Sequence, residues 1–199
     1  MAAQIILAST SSIRRVLLEN AGVPVTALPP RVDEAAIKDA LQAEGATPRD
    51  VADTLAEYKA RRISDKHPGA MVIGADQVLE LGGEVIDKPR DADEARAQLI
   101  RLRGRAHRLL SAAVIYRDGE PLWRTVGQVR LTMRAFSDDY LSAYIDRNRE
   151  GLTQSVGGYK LEEEGVRLFS RIEGDYFAVL GLPLVEILNF LTQHGEIDG

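Results

Sequence analysis

Hydroxyl and arginine side chains lie close together near the start of the chain. The segment Ser9-Thr10-Ser11 follows a short apolar run, and Arg14 and Arg15 come soon after it. The apolar run predicts a buried strand and the spacing that follows predicts a helix, so these residues stand at a helix N-terminus. Free backbone amides, the helix dipole and arginine side chains there favour an anion such as phosphate. The same pattern also fits a capped surface helix whose arginines are only solvated.

Acidic residues at two places could supply a general base or a metal ligand. Asp76 follows the apolar segment Met71–Ile73, so we expect it at the end of a buried strand, where ligands bind in open α/β sheets. An aspartate there can hold Mg²⁺ or activate a water molecule. Taken alone, a turn residue that caps the strand fits Asp76 better. Asp33 and Glu34 follow Pro29-Pro30 and are predicted to lie in a loop, as a second metal ligand or as solvated acids.

Lysines at two further places could contact phosphate groups. Lys59 lies in a predicted helix that begins at Thr47-Pro48, and Lys88 is constrained by the following Pro89. Isolated lysines are more often simply solvated, so the spacing alone leaves both interpretations open.

Several other chemistries are excluded by the sequence. The chain has no cysteine, which excludes a thiolate nucleophile and a Cys-ligated metal, and its three histidines form no zinc motif. Neither a Walker loop nor a Gly-x-Ser-x-Gly elbow is present. The formal net charge of −5 argues against a general nucleic-acid partner, although not against a small anionic substrate. No apolar stretch approaches ~18 residues and no signal peptide is evident, so we expect a cytoplasmic protein without a membrane partner.

The pattern of apolar residues predicts an α/β fold in which helices flank a mixed β-sheet. Long hairpins, one of them joined by Asp118-Gly119, imply antiparallel pairing beside any parallel strands. Helices are predicted to follow Ser12, Pro48, Asp91, Ser137 and Pro183. Strands are predicted at residues 5–8, 23–28, 71–73, 107–116, 122–133, 166–172 and 176–180.

Many short motifs occur in one order along essentially the whole chain. They include Ala8-Ser9-Thr10-Ser11-x-x-Arg14-Arg15, Val32-Asp33-Glu34, Glu57-x-Lys59-Ala60, Gly74-Ala75-Asp76-Gln77, Lys88-Pro89, Gly158-Tyr159-Lys160-x-Glu162 and Gly181-Leu182-Pro183-Leu184. In this order they resemble the Maf-like nucleotide pyrophosphatase family, which has been linked to inhibition of septum formation.

The resemblance implies a fold and a reaction. The expected fold is a single domain over residues 1–199, an elongated mixed sheet with two lobes around a central substrate cleft, often as a homodimer. The expected reaction is hydrolysis of a nucleoside triphosphate to the monophosphate and pyrophosphate with Mg²⁺ or Mn²⁺, which cleans the nucleotide pool. Features of a dTTP/UTP branch and of a 7-methyl-GTP branch are both present, so the base stays open. The alternative is a nucleotide-binding regulator of cell division with little catalysis.

The resemblance also assigns roles to individual residues. Asp76 is implied to be the general base or a metal-organising acid, with Glu34 beside the metal, so these two are the expected metal ligands. Lys59 and Lys88 complete the expected catalytic group as phosphate contacts. The residues expected to bind the triphosphate are Ser9, Ser11, Arg14 and Arg15, and those expected near the base or the reaction centre are Gln77, Lys160 and Glu162.

Overall fold

A mixed sheet of seven strands forms the centre of the computed structural model, which describes residues 3–198. The strands, β1 to β7 in chain order, are Ile5–Ala8, Val25–Leu28, Met71–Leu81, Glu84–Ile86, Ala106–Arg117, Glu120–Met133 and Phe169–Glu173. Their spatial order is β2-β1-β3-β5-β6-β7, and β4 pairs with the far end of β3. β1 runs parallel to β2 and β3, while the other neighbours are antiparallel. The predicted α/β class with a mixed sheet is confirmed.

Seven α-helices, α1 to α7, flank this sheet within the described range. They are Ser12–Asn20, Glu34–Ala43, Pro48–Ser64, Ala92–Leu102, Asp138–Asn148, Tyr176–Val179 and Leu184–Gln193. Thr47 caps α3 in a capping box with Asp50, and Asp91 and Ser137 cap α4 and α5 as predicted. Among residues 3–198, none of the helices combines the length and apolarity that crossing a membrane requires. The predicted domain bounds, residues 1 and 199, lie outside the described residues.

The sheet separates two apolar cores because successive strand side chains point to opposite faces. In β1, Ile5 and Leu7 belong to the larger core, which also takes residues from α1, α4, α5 and α7. Ile6 and Ala8 belong to the smaller core, which is covered mainly by α3. Helix α3 therefore covers most of one face of the sheet.

One edge of β3 is uncovered at its middle, and this gap creates room for a site. β5 pairs with one edge of β3 along Val72–Glu80. The other edge pairs with β1 up to Gly74 and with β4 only from Leu79 onward. The stretch between these pairings therefore lies beyond the carboxyl end of β1 and leaves backbone groups free to accept other partners.

The prediction of a final hairpin is wrong. The stretch predicted as its second strand forms α6 instead, because Asp175 caps it and accepts a hydrogen bond from the Ala178 backbone N–H at 2.7 Å. The first strand of that hairpin exists as β7, but it begins only at Phe169, after a 3₁₀ turn over Glu164–Leu168. Its partner is β6 rather than the following segment.

Candidate active site

Three charged side chains form the centre of the site. Lys59 Nζ donates to Asp76 Oδ1 at 2.6 Å and lies 2.8 Å from Glu34 Oε1. The side chains of Lys59 and Asp76 are 7% and 9% exposed, whereas the Glu34 side chain is 45% exposed. Lys59 therefore joins one buried carboxylate to one that solvent or a ligand can reach.

Helix α3 brings Lys59 over Asp76 because its backbone comes unusually close to β3 at Gly74. A Cβ atom built on Gly74 would collide with the Ala56 carbonyl oxygen and lie 2.6 Å from the Ala60 nitrogen. Only glycine allows this approach of helix and strand. Gly74 and Asp76 share one face of β3, so a lysine in the helical turn above Gly74 reaches the carboxylate. This explains why the motif combines a glycine with an aspartate two residues later.

Asp76 lies in the middle of β3 and not at its end, so its predicted position is wrong. The strand continues to Leu81 because β5 pairs with it throughout, with Asp76 opposite Ala112. The strand that does end here is the neighbouring β1, whose last residue, Ala8, lies opposite Gly74. The carboxylate is consequently close to a strand end, but the end belongs to another strand.

The turn from β1 into α1 supplies hydroxyl groups. Ser9 Oγ accepts from the Ser11 backbone N–H at 3.1 Å and from Arg14 Nη1 at 3.4 Å. Ser11 is the N-cap of α1, and its Oγ accepts from the Arg14 backbone N–H at 3.5 Å. The first turn of α1 has no acidic residue, so its dipole adds uncompensated positive potential. The predicted hydroxyl-capped helix start is confirmed.

Arg14 occupies the uncovered edge of β3. Its Nη1 donates to the Ala75 carbonyl at 2.9 Å, and its Nε donates to the Gly181 carbonyl at 2.7 Å. Burial lowers the pKa of the Arg14 guanidinium, and the negative charges of Asp76 and Glu34 oppose that shift. An arginine remains protonated after such a shift, so Arg14 is a fixed cation beside both carboxylates.

Lys88 belongs to the same electrostatic environment. Burial lowers the pKa of its ammonium group, and the positive charge of Arg14 adds to this effect. The carboxylates of Asp76 and Glu34 act in the opposite direction. Lys88 is thus a solvent-exposed cation whose charge interacts with the other charged groups of the site.

The prediction of a loop is wrong for Glu34, which belongs to a helix, whereas Asp33 lies just before that helix. Asp33 caps α2 by accepting from the Ala36 backbone N–H at 3.1 Å, and Glu34 is the first residue of the helix. Burial alone would raise the pKa of Glu34, but Lys59, Lys38 and Lys88 outweigh it and the pKa is lowered. Glu34 is therefore held in its charged form.

Lys38 is a basic residue of the site that the sequence reasoning missed. It comes four residues after Glu34 on α2, so the two side chains share one face of that helix. Lys38 Nζ lies 2.5 Å from Asp87 Oδ1, next to Lys88 in the chain. An aspartate followed by a helical apolar spacing was the signal that could have revealed α2, and with it Lys38.

Four predicted site residues are not joined to this cluster by contacts within residues 3–198. Arg15 is exposed and lies 3.9 Å from Glu19. Gln77 points to the opposite face of β3 from Asp76, and its Nε2 donates to Ser111 Oγ and to two carbonyls of α6. Lys160 pairs with Glu163 at 3.2 Å, and Glu162 is exposed in the same segment. Substrate contacts by these four residues stay predictions.

The residues present fit a divalent cation shared with a ligand. Within the described chain, no three His, Cys, Asp or Glu side chains form a closed metal cage. Mg²⁺ usually takes one or two carboxylates and completes its shell with substrate phosphates and water. Asp76 and Glu34 each keep a second carboxylate oxygen without a hydrogen bond in residues 3–198. Together they could hold such an ion once a phosphate ligand is present.

The fold and the site together define the class of protein. It is an α/β protein with a mixed sheet, and its site combines two carboxylates with several positively charged side chains. A solved structure of a HAM1 protein from Coxiella burnetii has this fold, with a TM-score of 0.53 at 15% identity. The match covers 96% of this chain and 99% of that one. At this identity the likeness concerns the fold alone.

The sequence comparisons are more specific. The family model for Maf-like proteins matches residues 4–194, and the chain belongs to the Maf family. The chain is 62% identical over 198 residues to the nucleoside triphosphate pyrophosphatase of Ruegeria pomeroyi, with 100% of each protein covered. It is 48% identical over 199 residues to the 7-methyl-GTP pyrophosphatase of Mesorhizobium japonicum, again with 100% of each covered.

Proposed function

We propose that the protein is a nucleoside triphosphate pyrophosphatase that uses a divalent cation. The observation that carries this proposal is the arrangement of Asp76 and Glu34 around Lys59, beside Arg14 and Lys88. Three cations suit a polyphosphate, whereas a protein that only binds nucleotide has no need of two carboxylates among them. Family membership and the names of the two relatives support the same reaction.

The triphosphate is held by groups from three elements. Arg14 provides a planar guanidinium suited to two phosphate oxygens, and Lys59 and Lys88 provide point charges. Ser9, Ser11 and the first amides of α1 add neutral donors near the end of β1. Arg15 is an exposed cation on the same helix and completes the predicted phosphate contacts.

Asp76 is the proposed general base. Hydrolysis breaks the bond between the α- and β-phosphates, and water supplies the oxygen to one product while its proton must go to a base. Lys59 fixes Asp76 Oδ1, which leaves Oδ2 for either of the two proposed roles, accepting this proton or binding the metal. Positively charged side chains stabilise the charge that develops on the leaving pyrophosphate.

The metal belongs to the same proposal. Asp76 and Glu34 would hold it, and a bound Mg²⁺ or Mn²⁺ supplies neutralisation of the phosphate charge. Glu34 is suited to this role because it is accessible and its lowered pKa keeps it charged. Lys59 orients both carboxylates, so it sets their positions before any ion arrives.

Recognition of the base is assigned to Lys160 and Glu162 in this proposal. Both lie in a segment where at least part of each side chain is accessible. A 7-methyl-GTP pyrophosphatase among the relatives makes a methylated purine one substrate to compare with dTTP and UTP. The resemblance to the Maf family further supports a homodimer in the cytoplasm, which sedimentation of the purified protein and cell fractionation would test.

The decisive experiment is an assay of pyrophosphate release from a panel of triphosphates. The panel contains the standard ribo- and deoxyribonucleotides and 7-methyl-GTP, each with Mg²⁺, with Mn²⁺ and with excess chelator. We expect turnover of one subset of bases, and its loss when the cation is chelated. Absence of turnover for every member at micromolar enzyme would contradict the proposal, and tight nucleotide binding in that case would favour a regulator.

A further inference from the structure

We propose that Gly181 is a positioning residue that holds the Arg14 guanidinium in the orientation needed for the triphosphate. This inference rests on the proposed function and adds a residue that supports Arg14 in the same site. Gly181 lies between α6 and α7 and is far from Arg14 in the sequence.

Backbone carbonyls from two separate elements fix the guanidinium plane. The Gly181 carbonyl accepts a hydrogen bond from Arg14 Nε at 2.7 Å, and the Ala75 carbonyl in β3 accepts one from Nη1 at 2.9 Å. Nη2 makes no hydrogen bond within residues 3–198, so its two hydrogens remain available to a phosphate ligand. An arginine held in this way loses little rotamer freedom when an anion binds, because the loss has already occurred on folding.

Both the backbone conformation and the limited space beside the guanidinium favour glycine at position 181. Gly181 has φ +94°, a backbone region that side-chain-bearing residues rarely adopt. A Cβ atom there would lie 3.2 Å from Arg14 Nε and 3.3 Å from Nη2. A methyl group would therefore press on Nε, which donates a hydrogen bond to the Gly181 carbonyl, and on Nη2, which remains available to the ligand.

The turn that carries Gly181 is itself fastened to the sheet. Gln77 Nε2 donates to the Ala178 and Val179 carbonyls at 3.0 and 2.9 Å, and Ser111 Oγ donates to the Ala178 carbonyl at 2.6 Å. Ala178 also accepts from the Gly181 N–H at 3.1 Å. Strands β3 and β5 thus fix the end of α6, and through it the carbonyl that Arg14 uses. Gln77 and Ser111 support Arg14 from the face of the sheet opposite Asp76.

A double-mutant cycle tests the inference. Gly181→Ala, Arg14→Ala and the double variant are compared for kcat and KM on a triphosphate that the wild type hydrolyses. We expect Gly181→Ala to lower kcat/KM by between about tenfold and a hundredfold, as misplacement of a binding group does. With Arg14 truncated, the same substitution has nothing to displace, so we expect a change of less than about twofold.

The matched control is Gly22→Ala. Gly22 follows the C-terminal end of α1 and has φ +78°. A Cβ atom added there would have no atom within 4 Å apart from those of its chain neighbours, so this variant carries the backbone strain without the collision. We expect an unchanged kcat/KM. If Gly181→Ala does not fold, Ser111→Ala replaces it in the cycle, because it loosens the same turn without a new contact.

Two outcomes separate this inference from the proposed function. Equal effects of Gly181→Ala with and without Arg14 would overturn the positioning role while leaving the pyrophosphatase proposal intact. An inactive wild type would overturn the proposed function instead. The same cycle is then run on the affinity for inorganic pyrophosphate by calorimetry, where non-additivity would support the positioning role and additivity would again overturn it.

Discussion

Two buried polar clusters lie on opposite faces of the sheet and differ in how burial is compensated. On the α3 face, Lys59 is nearly enclosed but has two carboxylates within 3 Å. On the other face, His107 is 2% exposed and has one neutral partner, the Tyr159 hydroxyl, 2.7 Å from its Nε2. Its Nδ1 is buried with no partner in residues 3–198.

The two clusters differ in whether opposite charges lie close to the buried titratable group. Beside Lys59, opposite charges are close enough to compensate for lost hydration. The rings of Tyr159 and Phe169 pack against His107, and burial lowers its pKa to about 4, so the imidazole is neutral at physiological pH. The charged cluster is suited to chemistry, whereas the neutral cluster packs the segment around Tyr159 against β5.

The largest effect is expected from removing the negative charge of Asp76. Asp76→Asn keeps the size of the side chain but abolishes its basicity, so kcat should fall by roughly 10²–10⁴-fold. Steady-state pyrophosphate release measures this, and the thermal midpoint should stay within a few degrees of the wild type because Lys59 keeps Glu34 as a partner. Glu80→Gln is the control, because Glu80 lies on the same face of β3 outside the cluster. A wild-type rate for Asp76→Asn would show that another group is the base.

Removal of the buried ammonium should have the next largest effect, on stability. Lys59→Met leaves the buried Asp76 without its partner, and we expect a loss of about 3–5 kcal/mol in the free energy of unfolding. Urea denaturation measures this loss. Adding Asp76→Asn to Lys59→Met should restore part of it, because the uncompensated charge is then gone. Lys66→Met, at an exposed position just past α3, should change little.

Acid should destabilise the protein through His107. The folded pKa, about 4, lies below the ordinary value of 6.5, so the unfolded chain takes up the proton first as the pH falls. Stability from this group is complete above pH 6.5 and is lost between pH 6.5 and 4, by about 3 kcal/mol. Urea denaturation across this range, compared with His107→Gln, isolates the contribution. Parallel profiles for the two proteins would contradict it.

The smallest effect is expected from the neutral hydrogen bond. Tyr159→Phe leaves His107 Nε2 buried without a partner, which should lower the free energy of unfolding by about 1–3 kcal/mol. Tyr58→Phe is the control, since Tyr58 is 51% exposed. A loss for Tyr159→Phe as large as that for Lys59→Met would mean that the charged and neutral clusters do not differ as described.

Local signals account for the parts of the fold that the sequence predicted. Helix α3 was predicted because Thr47 and Pro48 define its start within a few residues. Helix α2 was missed because two prolines before Asp33 suggested a loop, although Asp33 is a good N-cap. At Tyr176–Val179 the aromatic and β-branched residues suggested a strand, but the Asp175 cap and the donors from Gln77 and Ser111 favour a helix.

By itself, the sequence identified the candidate side chains for the proposed chemistry: the hydroxyls and Arg14 at a helix start, two acids, and two lysines. It also determined the family, because the motifs occur in a fixed order. Only the tertiary structure decided which of these residues meet. The close approach of α3 to Gly74 brings Lys59 to Asp76, and the α6–α7 turn brings Gly181 to Arg14. Such contacts depend on packing between distant segments, and residue spacing along the chain carries no record of them.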